Sequence, residues 1–179
     1  IHPREHDLII GTFGRAAWIM DDIRPLRKIA ATNGEVLDQD LAVFAAPDAY
    51  LAEYKSFTGV RFSADGMFQG QNRRGGAMMT VWRKPPGMDE DGKKKKGNGK
   101  AKVHGFNAAG DTVRTYSATL DTGMNRVYWP MNRDGVETPS RRDRRPNADP
   151  PYGPQVLPGT YKVVIAMGDV KDSTEVAVK

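Results

Sequence analysis

Thr160-Tyr-Lys-Val-Val-Ile-Ala-Met167, the pair Gly168-Asp169 and Ser173-Thr-Glu-Val-Ala-Val178 stand at the end of the chain. Two strand-forming runs around a Gly-Asp turn predict a closing β-hairpin. Reading back from it, Arg126–Met131 and Thr112–Leu120 are further strands, with Asn107-Ala-Ala-Gly110 as a turn. Ala101–Phe106 and Ala77–Arg83 are two more, expected to pair with each other. Strands separated by turns, with no helical period, predict an all-β domain. We expect an antiparallel immunoglobulin-like β-sandwich with its own core, from about Gly76 to Lys179.

Two polar segments interrupt this series. Lys84 to Lys100 contains Lys93-Lys-Lys-Lys96 and nothing that buries, so a mobile loop is expected there. Asn132 to Pro158 is read as a second long loop and carries Arg141-Arg-Asp-Arg-Arg145.

Towards the amino terminus, Asp7–Thr12 and Ala16–Met20 flank Phe13-Gly14-Arg15 and predict a hairpin. Asp21 and Asp22 then precede Ile23, Leu26, Ile29 and Ala30, spaced for one face of a short helix. An aspartate N-cap and Gly34 bracket it. Leu41–Phe44 is a brief strand ended by Pro47, and the aromatic-dotted stretch Ala49 to Gly76 reads as extended connector. The organisation is therefore a hairpin and helix over 1–35, a connector over 36–75 and the sandwich over 76–179.

The 179 residues fit one generous domain or two small ones, and 19 glycines with 12 prolines favour turns and short strands. With no cysteine, disulfides, thiolate zinc sites and cysteine nucleophiles are excluded. Three histidines leave little for a histidine-built metal centre, and no apolar run approaches the roughly 18 residues of a membrane span. The chain starts at Ile1 without a signal peptide, which reads as a mature or trimmed piece of something longer. The net charge of +5 is local: residues 83–102 hold eight Lys/Arg against three Asp/Glu. Arg141–Arg145 adds a further excess, so the basicity belongs to two loops.

In order along the chain, several motifs resemble one family. His6-Asp-Leu-Ile-Ile-Gly-Thr-Phe-Gly-Arg-Ala-Ala-Trp-Ile-Met-Asp-Asp22 with Ile23-Arg-Pro-Leu26 resembles the last propeller strands of the sortilin-like, Asp-box "glycosyl hydrolase" proteins secreted by Bacteroidetes-type bacteria. Phe68-Gln-Gly-Gln-Asn72 with Gly76-Ala77 is similar to the start of that family's C-terminal immunoglobulin-like module. Asn107–Thr115, Gly123–Trp129 and Leu157-Pro-Gly-Thr-Tyr161 resemble three of its turns, which are also similar to those of flagellar hook-capping proteins. Arg73-Arg74 stands where the family usually has prolines, and Lys93–Lys96 is an added run. The resemblance implies a location outside the cytoplasm (extracellular, cell-surface or periplasmic), a propeller body as partner, and no active site in this chain.

Individual residues weigh as follows. Trp18 and Asp22 are read as structural, Asp22 capping the helix alongside Asp21 rather than forming an acid–base or calcium pair. Gly110 allows a tight turn at positive φ. Trp129 supplies a plug between sheets at the centre of a strand. Gly159 and Tyr161 fix the re-entering chain, the tyrosine burying its ring with its hydroxyl paired. His2 and His6, four apart beside Glu5, have the spacing of a metal pair, but Pro3 and the terminal position favour a solvated terminus. Asp89-Glu-Asp91 is read as a solvating acidic run.

Lys93, Lys94, Lys95, Lys96, Arg141, Arg142, Arg144 and Arg145, with Arg73-Arg74, are candidate anion contacts. Neither run interleaves aromatics, which favours solvated loops over a glycan or lipopolysaccharide patch, and places nucleic acid last. Gly-x-Ser-x-Gly, His-Glu-x-x-His and the phosphate-binding Gly-x-x-x-x-Gly-Lys-Ser/Thr motif are all missing. The expectation is a non-catalytic accessory module without cofactor or metal, docking on a propeller and presenting loops to protein or glycan. The alternatives are a fragment of a glycan-acting hydrolase and a polyanion binder using 93–102 and 141–145.

Overall fold

The computed structural model describes residues 1–14, 16–52, 73–87, 99–139 and 148–179. Among them the chain is all-β apart from helix α1 (Arg24–Ala31) and a 3-10 turn at Glu35–Asp38. Strands β1 (Leu8–Gly11) and β2 (Ala17–Met20) form the first hairpin. The others are β3 (Leu41–Val43), β4 (Ala77–Arg83), β5 (Lys100–Phe106), β6 (Thr112–Thr119) and β7 (Gly123–Trp129). They continue with β8 (Asn132–Asp134), β9 (Tyr152–Gln155), β10 (Gly159–Met167) and β11 (Val170–Val178).

A three-stranded sheet, β3-β4-β7, packs on a four-stranded one, β11-β10-β5-β6, and every pairing between named strands is antiparallel. The chain crosses between sheets at β4–β5 and again at β6–β7, the immunoglobulin-like connectivity. One apolar cluster joins them: Met79, Val81 and Trp129 from one sheet meet Val103, Val163, Ile165 and Val176 from the other. Each is at most 1% exposed, so the two sheets share a single core.

Trp129 is buried at the last position of β7 rather than at a strand centre, and its Nε1–H donates to the Asn132 carbonyl at 3.0 Å. Tyr161 meets it edge-on with centroids 5.3 Å apart, and the Tyr161 hydroxyl donates to the Leu157 carbonyl at 2.8 Å. A tyrosine at a strand start tied four residues upstream locks the corner of the sandwich. Gly159 opens β10 opposite Val178. Gly110 has φ +88 in the β5–β6 turn, where an L side chain would be strained.

Three sequence expectations are corrected. β4 does not pair with β5; it pairs with β3 and β7, while β5 pairs with β6 and β10. Both strands are apolar enough to face a core, and the long segment between them crosses from one sheet to the other. The stretch 132–158 is not a single loop, because β8 and β9 pair within it. The connector 36–75 also contributes to the sandwich. β3 joins β4, and after Pro47 the Ala49 N–H donates to Ala177 O at 2.8 Å, a parallel bridge that covers the β11 edge. An Asp48–Lys179 ion pair closes the same corner.

Helix α1 ends as the sequence suggested. Asn33 N–H reaches Ala30 O and Gly34 N–H reaches Ile29 O, with both residues at positive φ. Its buried face differs from expectation: Ile23 and Pro25 are buried, whereas Leu26 is 48% exposed. Its N-cap is Ile23, without a side-chain cap bond.

Candidate functional site

The hairpin β1–β2 carries apolar side chains on both faces. Register places Ile10 opposite Trp18 on one face and Ile9 opposite Ile19 on the other. Ile9 and Ile10 are each 50% exposed, Trp18 64% and Ile19 62%. Phe13 at the turn is fully exposed. Trp18 therefore supplies no core to the described residues. A two-stranded hairpin of this size has little stability of its own in water, and a cluster of large exposed apolar residues marks an interaction surface.

Polar bonds hold the base of this hairpin to the sandwich. Asp22, 1% exposed at φ +47, takes its N–H to the Asp7 carboxylate at 2.9 Å. Its own carboxylate accepts the Arg24 N–H at 3.2 Å and the Arg24 Nε–H at 2.6 Å. Asp22 thus ties down the first helical turn from just outside it, and the ion pair raises the Arg24 guanidinium above its ordinary range. Arg126 on β7 donates to the carbonyls of Asp21 and Asp22 while also holding the Thr80 hydroxyl at 2.6 Å. Trp82 adds an Nε1–H bond to Leu37 O at 3.1 Å. Asp21, Asp22 and Leu37 are thus bonded to the outer face of the three-stranded sheet, on which Met78 and Thr80 are buried.

A second polar assembly closes the free edge of β6. A register shift at Gly105/Phe106 leaves Val113 and Arg114 buried side by side. The Arg114 guanidinium reaches the Asp134 carboxylate at 2.8 Å and the Pro150 and Pro151 carbonyls at 2.9 and 2.8 Å. It also lies 4.7 Å from the Tyr152 ring centre. Asp134 accepts the Thr115 N–H at 3.2 Å. Two residues on, Asp149 accepts the Ser117 N–H and hydroxyl, each at 2.8 Å, and the Lys102 ammonium at 3.2 Å. Carboxylates therefore take the places a neighbouring strand would fill. Burial pushes the nearby Tyr116 hydroxyl well above its usual range.

Sequence reasoning missed Arg114, Arg126, Asp134 and Asp149. Their partners lie far away along the chain, and the only local sign was the polar Arg114 beside Val113 in a strand.

Lys93–Lys96, Arg141, Arg142, Arg144, Arg145 and Asp89–Asp91 lie outside the described residues. Their described flanks do meet: Lys102, just after the lysine run, contacts Asp149, just after the arginine run. Arg74 places its guanidinium 4.9 Å from the Tyr128 ring centre, and Arg73 reaches Glu5 at 3.9 Å. His2 Nδ1 accepts the Glu5 N–H at 3.0 Å, and His6 faces the Arg27 guanidinium at 3.5 Å, a cation that opposes a metal ion there. Among the described residues no group of three or more His, Asp or Glu is placed to hold a metal, and no helix is long and apolar enough to cross a membrane.

Comparison with known proteins yields no matching family model, curated protein or solved structure.

Proposed function

We propose that this chain is a non-catalytic accessory module of a secreted or cell-surface β-propeller protein, docking on the propeller through β1–β2. The observation that carries this reading is the hairpin's double-sided apolar surface. A strand in a half-buried sheet alternates apolar and polar residues, whereas one packed on both faces reads as an unbroken apolar run. Leu8-Ile-Ile10 and Ala17-Trp-Ile-Met20 are such runs, and a propeller blade has neighbouring blades on both of its faces. The family resemblance of His6–Leu26 supports the same partner. Arg126 and the Asp22–Arg24 pair then hold the sandwich at a set position relative to the docked hairpin.

The test is retention of the whole chain on the immobilised propeller body of its parent protein. Trp18→Ser with Ile19→Ser should weaken retention at least about tenfold, the equivalent of about 1.4 kcal/mol. Urea unfolding of the sandwich should stay within about 0.5 kcal/mol of the unmodified chain, because neither side chain reaches its core. Retention unchanged by the substitutions would sink the proposal.

The Lys102–Asp149 contact favours one second reading, a polyanion site built from both basic runs. That reading expects salt-dependent retention on heparin, abolished when Lys93–Lys96 are replaced by alanine. Unchanged retention removes it.

A further inference from the structure

The outer face of the four-stranded sheet bears a groove of about 620 Å³ that the docking hairpin does not use. Register sets Phe106, Lys162 and Glu175 in one row across β5, β10 and β11, with Val164 beside them opposite His104. The β5–β6 turn, through Gly110, forms one wall, and Thr160 lies at the end of the groove. Phe106 is half-buried, and His104 stacks on its ring at 6.4 Å with the planes 30° apart. His104 in turn meets the Thr115 hydroxyl at 3.2 Å, beside Phe106 on the same face of β5. Lys162 and Glu175 are exposed and face each other across the strands, yet neither has an ion pair or side-chain hydrogen bond among the described residues.

We propose that this groove binds a neutral oligosaccharide, one pyranose ring lying on Phe106 with its hydroxyls shared between Lys162 and Glu175. The chemistry selects this class. The floor of Phe106 and Val164 asks for an apolar ring face. An anionic ligand would meet the Glu175 carboxylate and a cationic one the Lys162 ammonium. A wholly apolar ligand would desolvate both charges without compensation. A sugar ring presents an apolar C–H face together with hydroxyls that both donate and accept, and so satisfies all three groups at once. The groove is open, so the ring can belong to a longer chain that runs on across the sheet. This site does not depend on hairpin docking, and each can fail without the other.

The test is amide chemical-shift mapping of the whole chain titrated with maltohexaose, cellohexaose, xylohexaose and chitohexaose, with a heparin hexasaccharide as the anionic arm. At least one neutral probe should shift the Phe106, Gly110, Thr160 and Lys162 amides saturably, with a Kd on the order of a millimolar, as suits a single open platform. Phe106→Ala should weaken that probe about tenfold or more while leaving the spectrum of the opposite sheet unchanged. Glu175→Gln, which keeps the shape and acts even if Phe106→Ala perturbs folding, should weaken it severalfold. Two results would overturn the proposal: no groove shift with any neutral probe at 10-fold above about a millimolar, or groove shifts from heparin alone.

Discussion

Removing Arg114 is the sharpest test of how the sandwich holds its second half. Its guanidinium is 3% exposed and joins four features: the Asp134 carboxylate, two carbonyls at Pro150 and Pro151, and the Tyr152 ring. A hydrogen bond involving a charged group contributes about 1.5–3 kcal/mol, so three of them set an upper bound well above the net effect. Asp134 is 31% exposed, so water recovers part of what it loses, and the two carbonyls carry most of the damage. Breaking a buried pair by removing one partner costs about 3–5 kcal/mol. With that discount, Arg114→Ala should cost about 3–4 kcal/mol. At a urea m-value of about 2 kcal/mol/M the midpoint falls by about 1.5–2 M. All three bonds leave the single nitrogen Nη1, so Arg114→Lys keeps the charge and a one-nitrogen donor but loses the planar contact with Tyr152, and should lie between the variant and the parent chain. A double-mutant cycle with Asp134→Ala should show coupling above about 1 kcal/mol. A loss below about 1 kcal/mol for Arg114→Ala, or no coupling in the cycle, would refute the view that Arg114 pins residues 150–152 to the sheet.

The β6 edge should loosen in acid. Burial alone would raise the Asp149 carboxyl, but the Ser117 N–H and hydroxyl and the Lys102 ammonium more than offset it and hold the group below its ordinary range. A carboxylate depressed in the folded state stabilises it above the unfolded pKa and loses that contribution as pH falls through the folded value. Amide exchange at Ser117, corrected for intrinsic rates, should therefore lose protection below about pH 4 and do so at every pH in Asp149→Asn; protection that ignores both changes would dismiss the carboxylate as the edge cap. Tyr161→Phe keeps the ring against Trp129 and removes only the bond to Leu157 O, so denaturant unfolding should show a loss of about 1 kcal/mol. A loss near zero would mean the corner is held by ring packing alone.

Local patterns read well from the chain. The first hairpin, the helix before Gly34, the Gly110 turn and the closing hairpin all depend on residues within a few positions of one another. Turn geometry and β-propensity act at that range. The pairing of Ala77–Arg83 did not read well, since its apolar residues suit a core without naming a neighbour. Trp18 shows the same limit from the other side: its sequence looks like core, and only the tertiary structure leaves it exposed.

The candidate sites divide along the same line. The apolar runs of the first hairpin are legible along the chain, whereas their exposure on both faces is decided by the tertiary structure. The carboxylate cover on β6 and the Phe106–Lys162–Glu175 row were invisible, because each joins residues from separate strands. By itself, then, the sequence determined most of the strands, though not β8 and β9, together with the all-β class and the location of the positive charge in two runs. The tertiary structure decided which strands share a sheet, which arginines are buried, and which polar groups stay unsatisfied on an open face. The reason is physical: strand formation and turns are set by neighbours along the chain, whereas pairing and burial are settled by the free energy of the whole core.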